Sequence, residues 1–116
     1  MAEIAIEKVP PQNLDAEMAV LGSMLLDENA ISVAVEILHA ESFYKDTHRK
    51  IFEAIAGLYK LNQAVDLITL TAELKNNGAL EETGGVSYLA ALANSVPTSA
   101  NIEHYSRIVK EKSILR

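Results

Sequence analysis

The chain has 116 residues, 49% of them hydrophobic and 22% charged, with a formal net charge of −6. This length and composition suit one folded domain and exclude wholesale disorder, and the absence of cysteine excludes disulfides, thiolate metal sites and cysteine nucleophiles. No apolar run is long enough to span a membrane and no signal-peptide pattern opens the sequence, so we expect a cytosolic (cytoplasmic) protein.

Charge is distributed unevenly along the chain. Of 16 acidic and 10 basic side chains, residues 107–116 hold four of the basic ones and only Glu111 of the acidic ones. Nucleic-acid binding depends largely on Lys and Arg side chains that neutralise phosphates, so the acidic body disfavours direct DNA binding. The basic end is typical of a helix C-terminus, and contact with an acidic partner is the alternative.

The chain is predicted to begin with an extended arm and a helix. The Pro10-Pro11 pair fixes two φ angles, which predicts an arm over residues 1–12. Asn13 is a suitable N-cap for the first helix, and Asp15 and Glu17 lie in its first turn, where carboxylates complement the helix dipole. One face of this helix carries apolar residues at helical spacing: Leu14, Met18, Leu21 and Leu25.

A second helix is predicted from the junction residue Asp27 to about His39. Apolar residues cover most of its circumference, so we expect it to be buried centrally as the spine of the core. A short irregular stretch with the adjacent aromatics Phe43-Tyr44 follows. Asp46 or Thr47 then caps a third helix, and apolar residues line its inner face: Ile51, Phe52, Ile55, Leu58 and Tyr59.

Residues 65–71 permit two interpretations. They alternate in polarity and contain β-branched side chains, which is typical of a strand. The Asp66 cap, the leucine spacing and the stop at Asn76-Asn77-Gly78 favour a fourth helix, and we predict the helix.

Two further helices complete the chain. A fifth is predicted from about Gly85 to Asn94, before Pro97, and Thr98 or Ser99 opens a sixth. The sixth carries apolar residues at three- and seven-residue steps: Ile102, Tyr105 and Val109. The predicted fold class is all-α, an irregular bundle of about six helices. No stop signal precedes the end of the chain, so we expect the last helix to be a truncated part of a longer protein.

The sequence predicts no catalytic, cofactor-binding or metal-binding residue. Glu36 and His39 have the spacing of a di-iron ligand pair, but a second such pair is missing, and a surface ion pair is the better interpretation. The three histidines show no metal-ligand spacing. Gly84-Gly85 lacks the rest of a phosphate-binding motif and follows two glutamates, so a tight turn between helices is favoured.

Tyr88 is the strongest candidate for a contact residue. With Val86 and Leu89 predicted to face the core, Tyr88 falls at the edge of its helix, and a partly exposed tyrosine is a good anchor for a partner. A tyrosine packed at the rim with its hydroxyl in water is the structural alternative.

Seven motifs, in order and in register from residue 8 to residue 116, together resemble one family, the N-terminal domain of bacterial replicative DNA helicases of the DnaB type. They read Val9-Pro-Pro-Gln-Asn-Leu-Asp-Ala-Glu17, Ala19-Val-Leu-Gly-Ser23, Phe43-Tyr44, His48-Arg-Lys-Ile-Phe52, Val65-Asp-Leu-Ile-Thr-Leu70, Gly84-Gly-Val-Ser-Tyr-Leu89 and Val96-Pro-Thr-Ser-Ala-Asn-Ile-Glu-His-Tyr105. The pattern is most similar to helicases of Gram-positive bacteria. Ala64 departs from it, where the family pattern suggests proline.

The resemblance implies a helical head domain over residues 13–97 and the start of the first helix of a helical hairpin over residues 98–116. It also implies a parent protein that is a ring-shaped hexamer, whose separate motor domain binds ATP and Mg and drives 5′–3′ unwinding of DNA. In such helicases the N-terminal domains form a collar of three dimers. The collar docks primase through the C-terminal helical domain of primase and is implicated in contact with the helicase loader.

These implications assign roles to two groups of residues. Tyr88, with Asp15 and Glu17 as acidic neighbours on the same surface, is predicted to contact primase, and the apolar residues of the last helix are predicted to mediate oligomerisation: Ile102, Tyr105 and Val109. A stand-alone helical adaptor without a motor is the alternative function. A Gly-Lys-Ser/Thr phosphate loop encoded downstream would distinguish the two.

Overall fold

The structure is a computed structural model that describes residues 9–116, and the regular secondary structure within that range is entirely helical. The helices are α1 (Leu14–Leu26), α2 (Glu28–Ile37), α3 (Asp46–Lys60), α4 (Leu67–Asn76), α5 (Gly85–Ala93) and α6 (Ile102–Leu115), with short 3-10 helices at Ala40–Ser42 and Glu81–Thr83. The prediction of an all-α bundle is therefore confirmed. The predicted arm lies mostly outside the described residues, and residues 9–13 are non-helical.

The central helix of the bundle is α1. It packs against α2, α3, α5 and α6, whereas α2 buries fewer of its residues. The buried residues of α1 lie on all its sides: Ala16, Glu17, Ala19, Val20, Leu21, Gly22, Ser23 and Met24. The prediction that the second helix forms the spine is wrong, and that helix ends at Ile37 instead of His39. The small side chains of α1 give it the central position, because they allow neighbouring helices to approach it closely from several directions.

Gly22 shows how close this approach is. A Cβ atom added at Gly22 would overlap the backbone carbonyl oxygen of Leu92 and the hydroxyl oxygen of Ser95. The end of α5 therefore rests directly on the backbone of α1. Of the residues predicted to form the inner face of the first helix, Leu21 is fully buried, whereas Leu14, Met18 and Leu25 are only half-buried.

Local caps fix several helix ends as predicted. The Asn13 side chain accepts the Ala16 N–H at 2.9 Å, and the Asp66 side chain accepts the Thr69 N–H at 2.9 Å, so residues 67–76 form a helix and not a strand. Gly78 adopts φ of +70°, as expected for a helix stop. Asp27 ends α1 and caps α2 through the N–H of Asn29.

Two predicted helix starts are wrong. The third helix begins at Asp46 with Lys45 before it, and among the described residues no neighbouring side chain caps it. The sixth begins at Ile102 and not at Thr98 or Ser99, because the Ser99 hydroxyl donates to the carboxylate of Asp27 at 3.1 Å. That bond holds the α5–α6 connection against the α1–α2 junction.

No helix within residues 9–116 has both the length and the apolar character that crossing a membrane requires.

Candidate interaction site

A groove of about 540 Å³ lies between the start of α3 and the start of α5. Its walls come from three segments: Lys45 and Thr47; Glu81, Glu82, Thr83 and Gly84; and Ser87, Tyr88 and Ala91. Tyr88 is half-buried at its inner edge, and the hydroxyl of Tyr88 leads into a chain of hydrogen bonds that reaches the centre of the bundle. We name this surface the Tyr88 groove.

The chain of hydrogen bonds begins at a buried carboxylate on α1. Glu17 is 1% exposed, and its oxygens accept the backbone N–H of Tyr44 at 2.6 Å, the N–H of Lys45 at 3.4 Å and a bond from His48 Nδ1 at 2.7 Å. These donors stand at the N-terminus of α3, where backbone N–H groups lack helical partners and the dipole favours a negative charge. The carboxylate thus takes the place of a local cap for α3.

His48 joins this carboxylate to Tyr88. The imidazole is fully buried, and its Nε2 lies 2.6 Å from the Tyr88 hydroxyl oxygen, with the two rings within 8° of parallel. A carboxylate can only accept hydrogen bonds, so the Nδ1 that faces Glu17 carries the ring hydrogen. In the neutral imidazole, Nε2 then accepts the bond that the Tyr88 hydroxyl donates.

The surroundings of Tyr88 hold its ring in place. Gly84, at φ +96°, lies against the base of the Tyr88 side chain, and a Cβ at this position would stand 2.7 Å from the Cβ of Tyr88. The ammonium nitrogen of Lys45 lies over the ring, 5.2 Å from its centroid. Burial, and after it the charge of Glu17, raises the pKa of the Tyr88 hydroxyl, so the hydroxyl keeps its proton as a hydrogen-bond donor.

The structure separates the three residues predicted to contact a partner. The expectation that Glu17 lies on an exposed surface is wrong, because the N-terminus of α3 closes over its carboxylate. Asp15 is exposed but lines a different cavity, together with Tyr105 and Ile108. Tyr88 has the half-buried position predicted for it, although Val86, predicted to face the core, is 49% exposed.

The predicted oligomerisation residues lie mostly inside the bundle. Ile102 and Val109 are buried where α6 packs against α1 and α2, and Tyr105 is half-buried, so the expected apolar face of the last helix faces this chain's own core. The exposed apolar residues of α6 are Ile114 and Leu115, which line a separate cavity near the end of that helix.

Sequence reasoning missed His48. The spacing of the three histidines bears only on metal binding, and within residues 9–116 no three His, Asp or Glu side chains are placed to hold a metal ion. A usable signal was present in the sequence of α1. Glu17 stands four residues before Leu21 and seven before Met24, which places a carboxylate on an apolar face and calls for a buried donor from another helix.

Comparison with known proteins gives consistent results. Residues 9–111 match a family model described as "DnaB-like helicase N terminal domain". The whole chain is 50% identical to the replicative DNA helicase DnaC of Bacillus subtilis (strain 168) and 53% identical to the replicative DNA helicase DnaB of Geobacillus stearothermophilus. It spans about a quarter of their length, 26% of each.

The fold is also similar to a solved structure, the crystal structure of the N-terminal domain of DnaB helicase from Mycobacterium tuberculosis. The TM-score is 0.91 at 44% sequence identity, and the match covers 93% of this chain and 75% of that one.

Proposed function

Because this chain belongs to the DnaB-like helicase N-terminal domain family, as its sequence motifs predicted, we propose that it is the assembly and primase-interaction domain of a hexameric replicative DNA helicase. The observation that carries the proposal is the 50–53% identity, along the whole chain, to replicative helicases of two Gram-positive bacteria. Identity of this level over the whole chain supports a shared role as well as a shared fold.

The chemistry of such a helicase is proposed for the parent protein and not for this chain. ATP and Mg would bind to a motor domain, and 5′–3′ unwinding at the replication fork would follow from hydrolysis there. The acidic composition of the chain, with its net charge of −6, supports contact with DNA only through the complete ring. The proposed place of action is the cytoplasm. The chain's own contribution is to bind proteins.

The proposed partners are other copies of the domain, primase and a helicase loader. Residues 13–97 would act as the head of the domain, with residues 98–116 as the start of a hairpin that contributes to a collar of dimers. The primase helical domain would dock at the Tyr88 groove, because a half-buried aromatic ring beside charged residues has the character of a binding anchor. Asp15, exposed on α1, would act as a separate charge that orients the partner.

A chimeric helicase tests this proposal. Residues 1–116 replace the matching segment of the Geobacillus stearothermophilus helicase, with the unaltered helicase as the control. We expect sedimentation of a hexamer, ATP hydrolysis comparable to that of the control, and calorimetric binding of the primase helical domain within about tenfold of the control's affinity. The isolated chain should show no ATP turnover.

Two outcomes of this experiment would contradict the proposal separately. A chimera that is folded but does not form the ring would refute the assembly role. A chimera that forms the ring and hydrolyses ATP but does not bind primase would refute the primase contact, and would favour an adaptor that shares only the fold.

A further inference from the structure

The hydrogen bonds of the Glu17–His48–Tyr88 chain have one direction when the His48 imidazole is neutral, and that direction follows from the buried end of the chain. Glu17 accepts from two backbone N–H groups and from His48 Nδ1, so the donor hydrogen of the neutral imidazole is used there. Nε2 is left as an acceptor, and the Tyr88 hydroxyl donates its single hydrogen inward at 2.6 Å. The outer lone pairs of that hydroxyl oxygen remain to accept a bond from the groove.

The Tyr88 groove also contains carboxylate acceptors. The exposed carboxylates of Glu81 and Glu82 line the Tyr88 groove, and the Lys50 ammonium lies 2.5 Å from the Glu82 carboxylate. Within the groove, the ammonium nitrogen of Lys45 lies 5.2 Å from the centroid of the Tyr88 ring, so the face of this ring already holds a cation. The groove therefore combines an acceptor hydroxyl with carboxylates, which together suit a positively charged donor.

We propose that the buried Glu17–His48 pair fixes the Tyr88 hydroxyl as a hydrogen-bond acceptor, so that the Tyr88 groove selects a partner that inserts an arginine or lysine side chain. Glu17 and His48 are positioning residues in this scheme, because they act through Tyr88 and do not touch the partner. The inference rests on the proposed function in that the partner used to test it is the primase helical domain. It adds the chemistry that this partner must present.

The first test measures the hydrogen positions on the isolated chain. Long-range ¹⁵N–¹H correlation spectra of the histidine rings at neutral pH report which nitrogen of His48 carries a hydrogen. We expect the Nδ1–H tautomer in the wild type, and a shifted Nε2 signal in Tyr88→Phe, which removes only the hydroxyl. A doubly protonated ring, or an Nε2–H tautomer, would overturn the inference whatever the partner does.

The second test measures affinity for the primase helical domain of the organism that encodes this chain, by calorimetry at low and high salt. Tyr88→Phe should weaken binding about tenfold, as expected for the loss of a bond to a charged donor. Glu81→Gln should weaken it roughly two- to fivefold at low salt, and Lys45→Gln, the matched control of opposite sign, should strengthen it by a similar factor. Circular dichroism checks that each variant is folded.

The outcomes separate this inference from the proposed function. Wild-type affinity in Tyr88→Phe, or weaker binding in Lys45→Gln, would overturn the selection of a basic side chain and leave the primase contact in place. An absence of binding by the wild type would overturn the primase contact itself, and with it the claim about this partner.

Discussion

The buried carboxylate of Glu17 acts as the cap of a helix that is distant in sequence. Among the described residues, α3 starts without a side-chain cap of its own, and the donors at its start converge on Glu17 instead. A buried charge is tolerable only when hydrogen bonds replace the water that it has lost. Here the donors are two backbone N–H groups and the ring of His48. The Glu17 side chain thus accepts the hydrogen bonds of the start of α3 and links α1 to α3.

Replacing Glu17 by Gln should destabilise the fold by about 2–3 kcal/mol, because the amide keeps one acceptor and turns an NH₂ group towards buried donors. The control is Asp15→Asn in the same helical turn, where the side chain is exposed and the loss should stay below about 0.5 kcal/mol. Urea denaturation of both variants measures the difference. Equal midpoint shifts would mean that the Glu17 carboxylate contributes no more than an exposed one.

The Tyr88 hydroxyl should make stability depend on alkaline pH. Burial and the charge of Glu17 raise its pKa in the folded chain above the ordinary value of 10.0. Below the ordinary value, both folded and unfolded chains keep the proton and the stabilisation is complete. As pH rises through the higher folded value, the unfolded chain has already lost its proton and the stabilisation is lost.

Wild type should therefore lose more stability than Tyr88→Phe between about pH 9 and pH 11.5. Urea midpoints of the two proteins across this range measure the effect. The difference between them should be constant below pH 9, where the hydroxyl is protonated in both states. Parallel curves up to the alkaline end would show that the environment of Tyr88 leaves its ionisation unchanged.

At the scale of helices, the packing of α1 depends on the lack of a side chain at Gly22. The carbonyl oxygen of Leu92 and the hydroxyl of Ser95 occupy the space where a Cβ atom would stand. Backbone cannot move aside as a flexible side chain can, so any larger residue must push the end of α5 away from α1.

Gly22→Ala should cost roughly 1–3 kcal/mol through this overpacking. The matched control is Gly57→Ala within α3, where an added Cβ would meet no atom of the described chain within 4 Å. Because alanine favours the helix over glycine, that change should stabilise the fold by about 0.5–1 kcal/mol. Chemical denaturation should thus give midpoint shifts of opposite sign, and a loss of stability in both variants would mean that the space at Gly57 is not open.

At the scale of the molecule, α6 is part of the bundle and not an appendage to it. Ile102 and Val109 are buried against α1 and α2, and the Arg116 guanidinium donates to the backbone oxygens of Pro11 and Ser42. If α6 takes part in the proposed self-association, other residues of the helix would make the contact, and Ile114 is 71% exposed near its C-terminal end.

Ile102→Ala should lower stability by about 2–4 kcal/mol because it leaves a cavity under α6, whereas Ile114→Ala should change it by less than about 0.5 kcal/mol. Denaturation measures both values. Sedimentation at micromolar concentration should show mainly monomer for the wild type. Ile114→Ala should self-associate no more than the wild type does. A wild-type hexamer at that concentration would contradict the expected monomer.

The sequence determined the features that act over a few residues. The caps at Asn13 and Asp66 and the stop at Gly78 are read correctly because each acts within one helical turn. The family could also be predicted, since seven motifs in register fix order and spacing even where each one is weak.

Only the tertiary structure decided which side chains are buried and what they meet. Glu17 and His48 are 31 positions apart, and His48 and Tyr88 are 40 apart, so a periodicity confined to one helix carries no information about their contact. The predictions that Glu17 is exposed and that Ile102 faces outward are wrong for the same reason. Burial depends on which helices pack together, and small residues such as Gly22 set that packing without adding to an apolar pattern.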